Sequence, residues 1–190
     1  MKPFPRVYLE LTDRCNLACP FCAGSNGTRE IPVERLEPVL RQIAEITSEV
    51  RPHVLGEPLI YPHLARFLEL CAKLSLTVKI TTNGLAVDSV RGLLFESSAL
   101  RELNFSLHSY DRSTHGTPEE YLSPILSLCD EFDRQNIPLH VNFRFWNIGT
   151  ESSGGADKLF RLLLDHYKCD GFDASMPEEG RESVKLVNRR

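Results

Sequence analysis

The residues best suited to carry chemistry are three cysteines that lie within eight positions of one another. They are Cys15, Cys19 and Cys22, which are separated by four and then three positions. Thiolates are soft ligands, so three of them close together favour zinc or an iron–sulfur cluster. The closest histidine in sequence is His53, whereas a structural zinc site needs a fourth ligand. A four-iron cluster held by three thiolates would leave one iron open to a small molecule.

A predicted strand must position these cysteines. Residues 6–12 are rich in β-branched and aromatic side chains, and the cysteines occupy the loop that follows. Further strands are predicted at 53–55, 76–82, 103–107, 138–145 and 171–175. Helices are predicted between them at 33–50, 64–74, 87–96, 118–135 and 158–167.

This alternation predicts an α/β fold with a parallel sheet and helices outside. A complete eightfold barrel takes about 250 residues, so 190 residues indicate about six units. An open partial (βα)6 TIM-like barrel or a doubly wound sheet would fit, and we expect the partial barrel. One domain is expected over residues 1–175, followed by a polar tail or truncated continuation over 176–190. In either fold the loops at the carboxyl ends of the strands carry the chemistry.

Composition excludes several functional classes. The chain has 22 Lys and Arg against 26 Asp and Glu, a net charge of −4, which argues against a dedicated nucleic-acid-binding protein. No stretch approaches the 18 to 20 apolar residues of a membrane helix, and the first eleven residues do not resemble a signal peptide. We therefore expect a cytoplasmic protein without membrane contact, in which the cysteines stay reduced.

The cysteine loop resembles the signature of the radical S-adenosylmethionine (radical SAM) superfamily, a CxxxCxxC motif with an aromatic residue before its last cysteine. Three later segments agree with this resemblance, each at a predicted strand end. They are Gly56-Glu57-Pro58, which resembles the family's GGEP segment, Thr81-Thr82-Asn83-Gly84, which resembles its TNG segment, and Asn104-Phe105-Ser106-Leu107, which resembles its fourth strand. The sequence departs from the pattern at Leu55, where the family often has a glycine.

The resemblance implies a cofactor pair and a reaction. Cys15, Cys19 and Cys22 would bind a [4Fe-4S] cluster, and S-adenosylmethionine would chelate its fourth iron. Reductive cleavage of that cofactor would yield a 5′-deoxyadenosyl radical that removes hydrogen from a substrate. The implied partners are a small-molecule or peptide substrate and a one-electron donor such as a flavodoxin or ferredoxin, while nucleic acid is not expected.

The resemblance also implies contacts with S-adenosylmethionine, which we expect at Phe21, Gly56, Glu57, Asn83, Ser106, Asn142 and Arg144. Gly56 and Glu57 would accept from the methionine ammonium, or would only form a turn. Phe21 would stack on the adenine, or pack locally. Ser106 would donate to the carboxylate, or bond to backbone.

The other contacts also have structural alternatives. Asn83 belongs first to a turn with Gly84 and only second to a cofactor contact. Asn142 and Arg144 share one face of a strand. An inward Arg144 needs a partner, which the cofactor carboxylate or an anionic substrate would supply, whereas an outward one would cover a helix end.

Residues outside the motif are weaker candidates. His53 is expected to be a satisfied interior histidine, while His108, Tyr110 and Trp146 follow strands and could contact substrate or pack at the rim. The remaining cysteines, at positions 71, 129 and 169, form no spacing pattern. The competing hypothesis is a non-catalytic module, either zinc-binding or a degenerate radical SAM-like domain.

Overall fold

The structure, a computed structural model, describes residues 2–23, 27–111, 115–145 and 154–168, with side chains of the last segment from residue 157 onward. Within these residues, strands and helices alternate in the order β1 (Val7–Tyr8), α1 (Val33–Ile46), β2 (Glu49–Arg51), α2 (Leu64–Lys73), β3 (Thr77–Thr82), α3 (Val87–Glu96), β4 (Leu100–Ser106), α4 (Pro118–Arg134), β5 (His140–Arg144) and α5 (Gly154–His166). Two short 3₁₀ turns, Pro58–Ile60 and Leu107–Ser109, follow β2 and β4. No helix in this described part is long and apolar enough to cross a membrane.

The strands form one parallel sheet in the order β1-β2-β3-β4-β5. Each strand therefore lies beside its predecessor, and helices α1 to α4 supply the crossovers between neighbouring strands. In a doubly wound sheet the order of the strands reverses at a switch point, whereas the strand order in this sheet runs in one direction. The strand order thus confirms the barrel-like alternative of the two that the sequence allows.

The helices cover one face of the sheet. Strand side chains such as Val50, Ile80 and Phe105 are fully buried and belong to the same core cluster as Leu40 and Phe67 of the helices. The helices present apolar stripes to this face because their buried residues recur at spacings of three and four. Burial of this one continuous cluster holds the layers together.

The opposite face of the sheet, here called the polar face, carries charged and amide side chains. Glu49 pairs with Arg51 (Nε to Oε1, 2.9 Å) and with Lys79 (Nζ to Oε2, 2.9 Å). Lys79 also reaches Glu102 on β4 at 3.3 Å, and the Glu102 carboxylate accepts from Asn104 at 3.0 Å. In a barrel, the face turned away from the helices is the interior, so this row lines the inside of the open barrel.

The second strand corrects the prediction from sequence. A strand was predicted at 53–55 and a helix up to residue 50, but α1 ends at Ile46 and β2 is Glu49–Arg51. Val50 continues the helical spacing, yet it pairs with Val7 and Val78 in the sheet. Because both neighbours of Val50 are charged residues of the polar face, β2 has no apolar run that would mark it as a strand.

Other boundaries differ less. Strand β1 pairs only at Val7–Tyr8, although Leu9 still donates its N–H to the Arg51 carbonyl at 2.9 Å. Strand β4 begins at Leu100, three residues before its predicted start, and Leu107 lies in the following 3₁₀ turn. Helix α3 matches its prediction, and α4 ends one residue short of it. The predicted sixth strand at 171–175 and the tail lie outside the described residues.

Candidate cofactor site

The cysteine loop is closed at its base by contacts between its two flanks. The Asp13 carboxylate accepts from the backbone N–H of Arg29 (2.7 Å) and from its Nε (2.8 Å), and Thr12 bridges Glu30 in antiparallel fashion. The Arg29 guanidinium lowers the pKa of Asp13 below its ordinary value. A Cβ on Gly27 would lie 2.1 Å from the Asp13 carboxyl carbon, so a larger residue here would displace the Asp13 carboxylate. The loop therefore leaves the sheet from a fixed base.

The three thiols lie on this loop with increasing exposure. Cys15 and Cys19 are half-buried and Cys22 is exposed, and the Cys22 N–H donates to the Cys19 carbonyl at 3.0 Å. Burial raises the pKa of both Cys15 and Cys19, and the charges of neighbouring thiolates raise it further. Negative charge on one sulfur thus acts on the others, so a cation that neutralises all three would be stabilised here.

The three thiolates are soft ligands, which suit zinc or an iron–sulfur cluster. Among the described residues, no group of three His, Cys, Asp or Glu side chains converges on one point. In a four-iron cluster each thiolate binds a different iron, so the sulfurs stand further apart.

The segment after β2 packs directly against the start of the cysteine loop. A Cβ on Gly56 would lie 1.8 Å from the Thr12 carbonyl oxygen and 2.9 Å from that of Arg14, and the Glu57 N–H donates to the Arg14 carbonyl at 2.8 Å. The carboxylate of Glu10 accepts three consecutive backbone N–H groups, those of residues 54 to 56, at 3.2, 2.8 and 3.1 Å. Glycine is therefore required for backbone contact at position 56.

Glu57 is buried beneath the loop with 2% of its surface exposed. Its Oε1 accepts from the Leu59 N–H at 3.0 Å and its Oε2 from the Asn83 N–H at 2.8 Å. Burial raises the pKa of this carboxyl above its ordinary value, while these backbone donors oppose the rise. The side chain joins the segment after β2 to the end of β3, and its predicted contact with an ammonium group remains a prediction.

Asn83 lies at the end of β3, 6% exposed, next to the first cysteine. Its carbonyl accepts from the Tyr121 hydroxyl of α4 at 2.6 Å, and Gly84 follows with a φ of +85°. The predicted turn is thus confirmed, since glycine tolerates this backbone conformation.

Phe21 and His108 lie together at the mouth of the barrel. The Phe21 ring is 46% exposed, and its centroid lies 5.4 Å from that of His108. His108 is on the 3₁₀ turn after β4, and burial lowers its pKa. An exposed ring beside the cysteines is suited to stacking on a planar group.

Asn142 and Arg144 share one face of β5, as their alternation predicts, and the structure shows that this is the polar face. Asn142 Nδ2 and Arg144 Nη2 both donate to the Oδ1 of Asn104, each at 3.0 Å. Asn104 is 1% exposed, whereas Arg144 is exposed at the end of β5, and the predicted contact of this arginine with a carboxylate remains a prediction. Ser106 pairs in register with Arg144 across β4 and β5, so the two lie at the same level of the sheet.

The other candidates separate into interior and rim residues. His53 Nδ1 accepts from the Thr81 N–H at 3.2 Å, as expected of an interior histidine, and burial lowers its pKa to about 4. The Tyr110 hydroxyl donates to the Gly116 carbonyl at 2.8 Å. Cys71 and Cys129 are buried in the core, whereas Trp146 and Cys169 lie outside the described residues.

Sequence reasoning missed Glu10, Asn104 and Tyr121 as residues that organise the site. Asn104 belongs to a segment that resembles the family's fourth strand but is not itself a predicted contact, and Glu10 and Tyr121 belong to no motif. Each acts on a residue 38 to 46 positions away in the chain, so local spacing contains no signal for it.

Comparison with known proteins shows which family the chain belongs to. The radical SAM superfamily profile matches residues 9–147, which include the cysteine loop and strands β2 to β5. The chain belongs to the radical SAM superfamily.

Curated relatives include several proteins named GTP 3′,8-cyclase. Those of Microcystis aeruginosa and Corynebacterium glutamicum are 31% identical over 127 residues and 32% identical over 138 residues. These alignments cover 60% and 64% of this chain but only 37% and 36% of the relatives. The chain thus spans about a third of the length of these relatives.

Solved structures show the same fold. Streptococcus suis SuiB bound to S-adenosylmethionine aligns with a TM-score of 0.61 and 20% identity, over 86% of this chain and 39% of that chain. SuiB bound to its precursor peptide SuiA aligns equally well.

Proposed function

We propose that this chain is the catalytic barrel of a radical SAM enzyme with a still unidentified substrate. Cys15, Cys19 and Cys22 would hold a [4Fe-4S] cluster whose fourth iron binds S-adenosylmethionine, and reductive cleavage there would supply a 5′-deoxyadenosyl radical that abstracts hydrogen from the substrate. The observation that carries this proposal is the packing of Gly56 and Glu57 against the base of the cysteine loop. It supports a cofactor bound between the thiols and the strand ends.

The chain's own residues would orient the cofactor. Gly56 brings backbone close to the cysteine loop, where carbonyl groups and the Glu57 carboxylate are acceptors for an ammonium group. Arg144 and Ser106, level with each other on the sheet, would receive the carboxylate. Asn142 donates to the same Asn104 oxygen as Arg144 and would lie beside the cofactor carboxylate. Phe21 would cover the adenine at the mouth.

The partners follow from this chemistry. The relatives named GTP 3′,8-cyclase support a small-molecule substrate over a peptide, since the likeness to SuiB extends only to the fold. A flavodoxin or ferredoxin would supply the electron. A cytoplasmic location would keep the three thiols reduced.

Anaerobic reconstitution of the full chain with iron and sulfide tests the proposal. We expect absorbance near 400 nm (roughly) from thiolate-bound cluster, and release of 5′-deoxyadenosine when S-adenosylmethionine and a strong reductant are added. Replacing any of the three loop cysteines by alanine should abolish both signals. Cys71→Ala, which changes a buried cysteine of α2, is the control and should retain them.

The competing zinc module makes a different prediction. Tight binding of one zinc ion per chain, without a cluster spectrum and without nucleoside release, would reject the enzyme. A normal cluster without nucleoside release would support a degenerate relative instead.

A further inference from the structure

Asn83 is a buried side chain whose amide is held on two sides. Its Oδ1 accepts from the Leu85 N–H at 3.0 Å, and its Nδ2 donates to Asn16 Oδ1 at 2.7 Å. The backbone on either side is also fixed, because the N–H donates to Glu57 and the carbonyl accepts from Tyr121. A contact with a cofactor would have to replace one of these bonds.

The second hydrogen of the amide points towards the first cysteine. Asn83 Nδ2 lies 3.9 Å from Cys15 Sγ, within the range for a hydrogen bond to sulfur. This donation lowers the pKa of the Cys15 thiol, against the larger effect of burial, which raises it. The amide is neutral and cannot neutralise the sulfur, but as a fixed donor it stabilises negative charge there.

We propose that Asn83 is a positioning residue that fixes the Cys15 sulfur by an N–H···S hydrogen bond and raises the reduction potential of the cluster bound there. This inference rests on the proposed function, since it requires the cluster. Adding an electron makes the thiolate sulfurs more negative, so a donor to sulfur stabilises the reduced state more than the oxidised one. The end of β3 would thereby tune electron uptake as well as close a turn.

The test compares Asn83→Leu with the parent chain after reconstitution. Leucine keeps the backbone bonds to Glu57 and Tyr121 but removes the donor. We expect the ratio of reduced to oxidised cluster at a fixed solution potential to fall about tenfold, or about 59 mV for one electron, in a redox titration followed by electron paramagnetic resonance. Iron content should stay within about twofold, because the three cysteine ligands are unchanged.

Two further variants keep the test decisive. Asn83→Asp has the same shape, so it covers the case in which the leucine variant does not fold, and its carboxylate should lower the potential further. Asn16→Ala removes the exposed partner of the amide, whose Oδ1 also lies 4.0 Å from Cys15 Sγ, but it retains the Asn83 donor, so its potential should change much less than that of Asn83→Leu.

Each outcome decides the proposal. An unchanged potential in loaded Asn83 variants overturns it and leaves the proposed function intact. Weakened S-adenosylmethionine binding at unchanged potential also overturns it, and would make Asn83 a direct cofactor contact. A parent chain that takes up no cluster overturns this inference together with the proposed function.

Discussion

At the scale of single residues, the site is built from polar groups whose bonding capacity is largely used within the protein. The Glu57 carboxylate accepts two backbone N–H groups, and Asn104 binds four partners although it is almost fully buried. Buried polar groups are costly when unpaired, so these side chains hold the strand ends in one arrangement. The substitutions that test them must therefore separate stability from binding.

Glu57→Ala should affect both properties. It leaves the N–H groups of Leu59 and Asn83 without acceptors, at about 1 to 3 kcal/mol for each buried unpaired group. If the carboxylate also accepts the cofactor ammonium, S-adenosylmethionine binding should weaken by about 1.5 to 3 kcal/mol, the range for a hydrogen bond to a charged group. Thermal unfolding and equilibrium dialysis measure the two effects. Lowered stability with unchanged affinity would restrict Glu57 to a structural role, and iron content should not change.

His53 predicts a specific pH dependence of stability. Its pKa is about 4 in the folded protein, against 6.5 as its ordinary value, because burial disfavours the charged ring. As the pH falls, the unfolded chain therefore binds this proton before the folded chain does, and proton binding favours unfolding. The contribution of neutral His53 to the free energy of unfolding is complete above about pH 6.5 and is lost towards pH 4. The difference amounts to about 2 to 4 kcal/mol at 1.36 kcal/mol for each pKa unit.

His53→Gln isolates this contribution. Denaturant unfolding at several pH values should show a smaller loss of stability between pH 6.5 and pH 4 for the variant than for the parent. Parallel curves for the two proteins would show that His53 does not titrate differently in the folded and unfolded states.

At the scale of elements, the decisive feature is the approach of the segment after β2 to the end of β1. Neither segment is regular, yet the backbone of Gly56 contacts the carbonyl of Thr12. The two crossovers that lead to β2 and β3 bring this segment, the cysteine loop and Asn83 to one end of the sheet. Parallel strands place their carboxyl ends together. The tight packing at Gly56 also fixes the distance between the segment after β2 and the base of the cysteine loop.

Gly56→Ala should disrupt this approach. Its Cβ would lie 1.8 Å from the Thr12 carbonyl oxygen, so the backbone has to shift, and we expect both reduced iron loading and a lower melting temperature. Gly92→Ala on α3 is the matched control, because a Cβ there meets no atom within 4 Å. It should raise stability by about 0.5 to 1 kcal/mol, since alanine favours helix over glycine. Equal behaviour of the two variants would contradict the packing argument.

At the scale of the whole molecule, the sheet separates an apolar layer from a charged one. Glu49 is central to the polar face because it pairs with residues of β2 and β3 and lies 3.7 Å from Arg6 before β1. Its side chain is 17% exposed and that of Arg51 is 13% exposed. These charges compensate one another at the interior of the barrel. The ion pairs around Glu49 therefore stabilise the sheet that carries the candidate cofactor site.

Glu49→Gln should therefore destabilise more than the loss of a surface pair. It leaves Arg51 partly buried without its carboxylate, which we expect to cost about 1 to 3 kcal/mol, between the values for surface and fully buried pairs. Glu37→Gln removes a carboxylate that pairs with Arg41 on the exposed side of α1 and should cost less than about 1 kcal/mol. Urea unfolding of both variants measures the difference, and equal losses would show that the polar face is not protected from solvent.

The sequence by itself determined the family motif, the alternation of strands and helices, and most helix boundaries, while the three cysteine ligands remain a prediction. The reason is that thiol spacing, apolar periodicity and turn residues are local signals, read within a few positions of one another. The same signals failed at β2, where two of three residues face the polar interior and only Val50 faces the core.

The tertiary structure alone decided which polar groups meet. Asn104 holds Arg144, Glu10 binds the backbone before Glu57, and Tyr121 fixes the carbonyl of Asn83. These partners come from different strands and helices, and they are brought together by the consecutive order of the parallel sheet. A partly buried charge or amide requires a partner, but its own sequence neighbourhood does not say which one.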